Sequence, residues 1–271
     1  MNIRVRAPAT TANLGSGFDC AAAALELWNE VEVTENGGEA DPSHLAVQAF
    51  ARVASIDGRS FSFVDRIPRE RGLGSSAATI ALGLVAGAIA AGTEPDADEL
   101  LALGLDLEGH PDNLAAALTG GVCLTWEGRI ARIADDVPAV PVAVVPTGTV
   151  KTHLSRAALP EQVPLADAAF SVARAALLGA ALASSSPELL AAAADDRLHE
   201  PYRAEQAPLL REIREELPAG TLGATLSGSG PSVIVWTRPW AVEACVEALR
   251  ARFADADVLP LAVARSGAGP V

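Results

Sequence analysis

The sequence predicts an α+β fold in two domains, on three observations. Strand-like and helix-like segments come in groups instead of strict alternation, which argues against a doubly wound parallel sheet. The 271 residues are long for one compact core and comfortable for two of ordinary size. Half the residues are hydrophobic yet only 4% are aromatic, so the cores are expected to consist of small aliphatic side chains on closely packed helices.

Taken in order, alternating runs at 3–7 and 27–34 predict strands, and apolar residues at helical spacing predict a helix over 45–56. A strand follows at 61–67. Beyond a glycine-rich stretch come helices at 77–91 and 97–108, the second opening in an acidic turn that suits a helix N-terminus. A short helix at 113–118 ends at Gly120-Gly121, and strands at 122–126 and 130–133 form a hairpin across Glu127-Gly128. After a strand at 142–145, Pro146-Thr147-Gly148 breaks the pattern. The domain boundary is therefore placed around 147–152, giving domains of 1–148 and 149–271. Helices at 165–184, 187–197 and 206–216 follow, then a glycine-serine loop between two strand-like runs, a helix at 241–253 and a strand at 257–264. That last strand can return to the first domain, which leaves the boundary soft.

Several function classes are excluded early. A net charge of −14 opposes nucleic acid or anionic membrane as a partner, because either needs a basic footprint. No uninterrupted apolar run is long enough to span a bilayer, since even 77–91 contains glycines and stops short, so a soluble protein is expected. The N-terminus alternates like a strand and lacks the plan of a secretory signal, which predicts a cytoplasmic location. Cys20, Cys123 and Cys245 are scattered, so neither a disulfide framework nor a zinc site is indicated.

The segment Arg71-Gly72-Leu73-Gly74-Ser75-Ser76-Ala77 reads as an anion-binding loop. Its glycines allow positive φ and close backbone approach, and a helix beginning near Ser75 offers unpaired N–H groups and a positive dipole end. A Walker A loop is ruled out, since no lysine follows the glycine and Lys151 is the only lysine in the chain. An ordinary strand-to-helix turn with a serine cap is the alternative. A second loop downstream, Ser227-Gly228-Ser229-Gly230-Pro231-Ser232, favours the anion-binding reading by suggesting a shared polyanion or substrate site.

Two further clusters, Pro8-Ala9-Thr10-Thr11-Ala12-Asn13-Leu14-Gly15-Ser16-Gly17-Phe18-Asp19 and Glu108-Gly109-His110-Pro111-Asp112-Asn113, complete a set of ordered motifs that resembles the GHMP kinases over essentially the whole chain. The first cluster, followed later by Gly-His-Pro-Asp-Asn, is similar to the homoserine kinases within that family; sugar and isoprenoid members carry a lysine at the place of Thr11. The resemblance implies an N-terminal half like ribosomal protein S5 and a ferredoxin-like C-terminal half, with ATP and L-homoserine in the cleft between them. It also implies phosphoryl transfer to the homoserine side-chain hydroxyl for threonine synthesis, a Mg²⁺ requirement and a homodimer.

Residue by residue, the resemblance places ATP on Arg71 to Ala77 and Mg²⁺ on Ser76 and Glu108. It assigns the substrate to Asn13, Asp19, His110, Arg156, Arg203 and Ser229, with Asp19 for the ammonium and the two arginines for the carboxylate, whose oxygens a guanidinium fork can bond together. Asp112, Asn113 and Arg203 are the catalytic candidates, Asp112 as either a base or an orienter of Asn113. Plainer readings stand beside these: Asp19 as the cap of a helix entering Cys20-Ala21-Ala22, Asn13 in an Asx turn, the arginines as solvated helix residues, and His44, His153 and His199 as structural histidines. Three positions depart from the family pattern. Glu70 replaces a usual glycine before the phosphate loop, where it must point outward or pair with Arg69 or Arg71; His44 stands for an asparagine ahead of a helix; Ser171 stands for an asparagine within one. The competing functions are a GHMP kinase for another small alcohol and a catalytically silent GHMP-like binding protein.

Overall fold

The computed structural model describes residues 2–150 and 152–271. Lys151 and the side chains of Thr152 and His153 lie outside the described residues, and so does the structural reading of His153.

The chain opens with β1 (Asn2–Asn13) and β2 (Gly17–Glu35), an antiparallel hairpin much longer than the alternation at 3–7 and 27–34 suggests. Alternation shows only where one face meets solvent: residues 2–7 alternate exposed and buried, whereas 8–13 are buried on both faces and lose the period of two. Next come α1 (Leu45–Ala51), shorter than expected, and β3 (Arg59–Val64), which pairs with the outer half of β2. β3 stops short of 67 because the Asn29 side chain accepts the N–H groups of Arg66 and Ile67 at 2.7 and 2.9 Å, taking them out of the ladder. α2 (Ser75–Ala91), α3 (Ala97–Glu108) and α4 (Pro111–Thr119) follow, then the hairpin of β4 (Val122–Trp126) and β5 (Arg129–Ala134). The acidic start of α3 forms a capping box between Asp96 and Glu99.

The second half contains β6 (Val140–Val145), α5 (Thr152–Ala157), α6 (Leu165–Ser184), α7 (Pro187–Ala193), α8 (Glu200–Arg203), α9 (Leu209–Glu215), β7 (Thr221–Leu226), β8 (Val233–Thr237), α10 (Val242–Arg252), β9 (Asp257–Pro260) and β10 (Gly269–Pro270). Its antiparallel sheet has the order β7-β8-β6-β9, the arrangement of a ferredoxin-like half. The first sheet has the order β10-β1-β2-β4-β5, with β3 also on β2. The two-domain α+β arrangement expected from the sequence is thus present. β6 lies before residue 149 in sequence but supplies the second sheet with a central strand. The strand expected at 257–264 divides: β9 stays in the second sheet, and Val263 bridges to Leu25 of the first. α5 and α8 were not expected, and α7 and α9 are shorter than the periodicity suggests.

Side chains of the second sheet alternate between two cores. Val142, Val144, Val233 and Val235 face a cluster with Ile213 of α9 and Leu249 of α10. Their neighbours Ala143, Val145, Ile234 and Trp236 join the main core, which also holds Leu178 and Leu182 of α6, Leu82 and Leu84 of α2, and Val5 of β1. The halves therefore share one hydrophobic interior. Contrary to the expectation of no such segment, α6 is long and apolar enough to cross a membrane by length and composition; Asp167 and Arg174 interrupt the run but leave its average apolar. In the fold its Leu178, Ala181 and Leu182 are buried, while Leu165 and Val172 are exposed.

Close helix packing places α2. A Cβ at Gly83 would lie 2.1 Å from the Ala46 carbonyl oxygen of α1, so only glycine permits this approach. Gly83→Ala is expected to lower stability by about 1–3 kcal/mol, read as a lower urea midpoint; an unchanged midpoint would mean that α1 moves aside freely.

Candidate active site

The first motif is a strand turning back on itself. Asn13, Leu14 and Gly15 have φ of 71°, 47° and 81°, and Asp19 has φ 57°. A Cβ at Gly15 would sit 2.7 Å from the Ala194 carbonyl oxygen, so the turn presses directly on the second half of the chain. Asn13 holds that turn: its Oδ1 accepts from the Asp19 N–H at 3.0 Å and its Nδ2 donates to the Gly228 carbonyl at 2.9 Å. Residues 20–22 lie in β2, which removes the helix-cap reading of Asp19.

The two glycine loops meet. Ser227 Oγ donates to the Gly72 carbonyl at 2.6 Å and lies 2.9 Å from Thr11 Oγ1, the Ser232 N–H donates to the Arg71 carbonyl at 3.3 Å, and Gly228 N–H reaches the Ala12 carbonyl at 3.1 Å. Glycine is required at both positions of the first loop: a Cβ at Gly72 would stand 2.3 Å from the Ser227 carbonyl oxygen, and one at Gly74 would stand 1.8 Å from Thr10 Oγ1. Gly74 has φ 64° and no side chain caps the start of α2, so the first-turn N–H groups at Ser75 and Ser76 face the cleft that these residues line. Leu73 and Ala77 turn into the core instead.

Glu108 ends α3, Gly109 caps it with φ 82°, and α4 begins at Pro111 with Asp112 in its first turn. Burial pushes Glu108 up to about 8 against the opposing effect of Ser76 beside it, and Glu108 Oε2 is enclosed without a hydrogen-bond partner. Burial likewise raises Asp112 to about 6, although its Oδ1 accepts the Asn113 N–H at 2.7 Å. Asn113 Oδ1 accepts from Thr10 Oγ1 at 2.6 Å, which fixes that amide by a strand of the first motif. Burial, with Arg156 nearby, lowers His110, so its imidazole is neutral at pH 7. Among the described residues no group of three or more acidic, histidine or cysteine side chains could hold a metal ion. A Mg²⁺ bound also by phosphates and water needs only one or two protein oxygens, and the unpartnered Glu108 Oε2 with Ser76 fits that smaller demand.

At the other end of the cleft, Arg156 of α5 grips Asp19 in a bidentate pair at 2.7 and 2.5 Å. The residues expected to hold opposite substrate charges therefore hold each other. Arg203, only 3% exposed, reaches the cleft from α8, and both guanidiniums lie 5.5 Å from the Phe18 ring centre. Ser229 lines the cleft, and its carbonyl accepts from Ser155 Oγ at 3.1 Å.

The three departures acquire physical accounts. Glu70 has φ 55°, a conformation glycine adopts without strain; it lines the cleft and, among the described residues, pairs with neither Arg69 nor Arg71. His44 acts as a helix cap, its Nδ1 accepting from the Ala46 N–H at 3.3 Å while its ring stacks on Phe63. Ser171 Oγ donates to Asp196 at 3.3 Å. The motifs missed Val150, which also lines the cleft, and the buried Asp196, and neither carried a signal in sequence; Gly228, part of the second glycine-serine loop though not singled out for a role, lines the cleft as well.

Two family descriptions match the chain, the GHMP kinases N terminal domain over residues 42–121 and the GHMP kinases C terminal over residues 177–255. The chain is 42% identical over 259 residues to the homoserine kinase of Clavibacter michiganensis subsp. michiganensis, covering 86% of this chain and 82% of that protein. It is 42% identical over 258 residues to the homoserine kinase of Streptomyces avermitilis, covering 86% and 84%. The crystal structure of homoserine kinase from Cytophaga hutchinsonii superposes with a TM-score of 0.89 at 25% identity, covering 100% of this chain and 97% of that one.

The raised carboxyl groups give a pH dependence with a definite sign. Glu108 and Asp112 keep their protons in the folded state to about 8 and about 6, so their stabilising contribution is complete below the unfolded carboxylate range and is lost as pH rises through those values. Glu108→Gln is expected to stabilise the metal-free protein by about 2–4 kcal/mol at pH 9 and to change little at pH 4. Urea unfolding at the two pH values checks this, and equal effects at both would remove the assignment.

Proposed function

The chain belongs to the GHMP kinases, within their homoserine kinase family, and from that premise we infer that it transfers the γ-phosphoryl group of ATP to the side-chain hydroxyl of L-homoserine, yielding O-phospho-L-homoserine. One observation carries the reading: a donor-rich glycine loop and a patch of mixed charge, brought by motifs distant in sequence, line a single cleft.

Phosphoryl transfer is chiefly positioning and neutralisation of charge. The start of α2 presents backbone N–H groups to the phosphates, with Arg71 as a nearby cation. A divalent cation, when bound, supplies further neutralisation of the phosphate oxygens, and Ser76 and Glu108 would hold it. Glu108 must then lose its proton, so Mg·ATP affinity should weaken as pH falls below about 8. At the amino-acid end, the zwitterion exchanges the Asp19–Arg156 pair for two new ones, ammonium to Asp19 and carboxylate to Arg156 and Arg203. His110, neutral, and Asn113, held by Thr10, orient the hydroxyl. Asp112 directs Asn113 through the bond to its N–H, and the loose transition state asks for little proton removal at the start.

A coupled ADP-release assay with Mg·ATP against L-homoserine, L-serine, L-threonine, mevalonate and galactose tests the reading, with Arg203→Ala as control. Turnover confined to homoserine and lost in the control is expected. Asp112→Asn should retain measurable turnover; complete loss of kcat in folded protein would make Asp112 the base. Glu70→Gly removes a carboxylate and a left-handed strain, and should lower the KM for ATP roughly two- to fivefold. No turnover on any of the five, from folded protein, would favour a silent binding protein.

A further inference from the structure

Behind the cleft lies a buried polar cluster outside the motifs. Asp196 is 6% exposed, and its Oδ2 accepts the backbone N–H groups of Leu198, His199 and Glu200 at 2.9, 2.7 and 3.0 Å. These bonds organise the entry into α8, whose own N-cap residue, His199, provides no side-chain cap. The position of Arg203, the last residue of that single turn, follows from them.

His199 is fully buried and stacks on Phe18, with ring centres 5.0 Å apart. Its ring nitrogens meet partners of opposite kind: Nε2 is 2.9 Å from the Gly15 carbonyl oxygen and Nδ1 is 3.2 Å from Arg203 Nη1. A guanidinium only donates and a carbonyl only accepts, so Nδ1 is the acceptor and Nε2 carries the proton. Burial pushes the imidazole down to about 4, which keeps it neutral and able to accept. The same Nη1 donates to the Gly228 carbonyl at 3.1 Å, so one ring ties the first-motif turn and the second glycine loop to a single guanidinium.

We propose that His199 is the positioning residue for Arg203, fixing through its Nδ1 lone pair the direction in which the guanidinium meets the substrate carboxylate. The substrate clause rests on the homoserine kinase reading. Arg203 Nε is already enclosed without a partner, so removing the acceptor leaves the buried cation with a second donor unpaired, and the guanidinium turns to find another partner.

Three variants separate positioning from packing. His199→Phe keeps a ring against Phe18 and loses both bonds. His199→Asn can place an acceptor near the Nδ1 position, and His199→Gln can reach the Gly15 carbonyl from near the Nε2 position. His199→Phe is expected to raise the KM for L-homoserine about tenfold or more while the KM for ATP stays within about twofold. Asparagine should restore most of the loss and glutamine should not. Equal rises in both KM values, or equal rescue by asparagine and glutamine, would overturn the proposal; if the phenylalanine variant does not fold, the comparison of asparagine with glutamine decides alone. If wild-type protein fails to phosphorylate homoserine, the activity reading falls but the positioning claim is still read by NMR. Guanidinium N–H signals of Arg203, identified by their loss in Arg203→Lys, should exchange slowly in wild type and His199→Asn and vanish in His199→Phe; persistence in His199→Phe would overturn it.

Discussion

The site depends on the contact between two glycine loops across the junction of the halves. Gly72 lies against the carbonyls of Ser227 and Gly230 at distances no other residue could occupy, and Ser227 Oγ closes the gap with a bond to the Gly72 carbonyl. Once these loops are joined, the start of α2, the turn at Asn13 and the entry to α8 have fixed relations. Asn13 reaches Gly228, as does Arg203, and Thr10 reaches Asn113. The cleft is thus a by-product of backbone packing, and its side chains inherit their directions from that packing.

The shared interior makes this contact rigid. Alternate residues of β6 and β8 face the main core, so the second sheet cannot shift without disturbing α6 and the first sheet. Small side chains are essential here: alanines recur through the shared core, and at Gly17 a Cβ would stand 3.0 Å from Leu178 Cδ2 of α6. A chain poor in aromatics achieves density by close backbone approach, which explains why glycine and alanine recur where larger residues would ordinarily fill space.

Much of this was legible in the sequence, for identifiable reasons. Helices such as α2, α3 and α6 present long, regular patterns with clear ends, and the glycine loops carry their own punctuation. The strand segments at 8–13 and 21–25 were not legible, because burial on both faces erases the alternation by which a strand is recognised. The site motifs could be located but not their mutual contacts: the Asp19–Arg156 pair spans 137 residues and the His199–Gly15 bond spans 184. Asp196 gave no signal at all, since a buried carboxylate that binds three successive N–H groups looks in sequence like any surface aspartate.

The return of the chain to its starting sheet has a consequence for synthesis. After β9 the backbone leaves the second sheet, bridges Leu25 through Val263, and ends in β10 against Val5 and Arg6 of β1. A ribosome therefore releases β10, on the edge of the first sheet, only after every strand of the second sheet. Until that strand arrives, the β1 edge of the N-terminal half keeps unpaired backbone groups open to pairing with other chains.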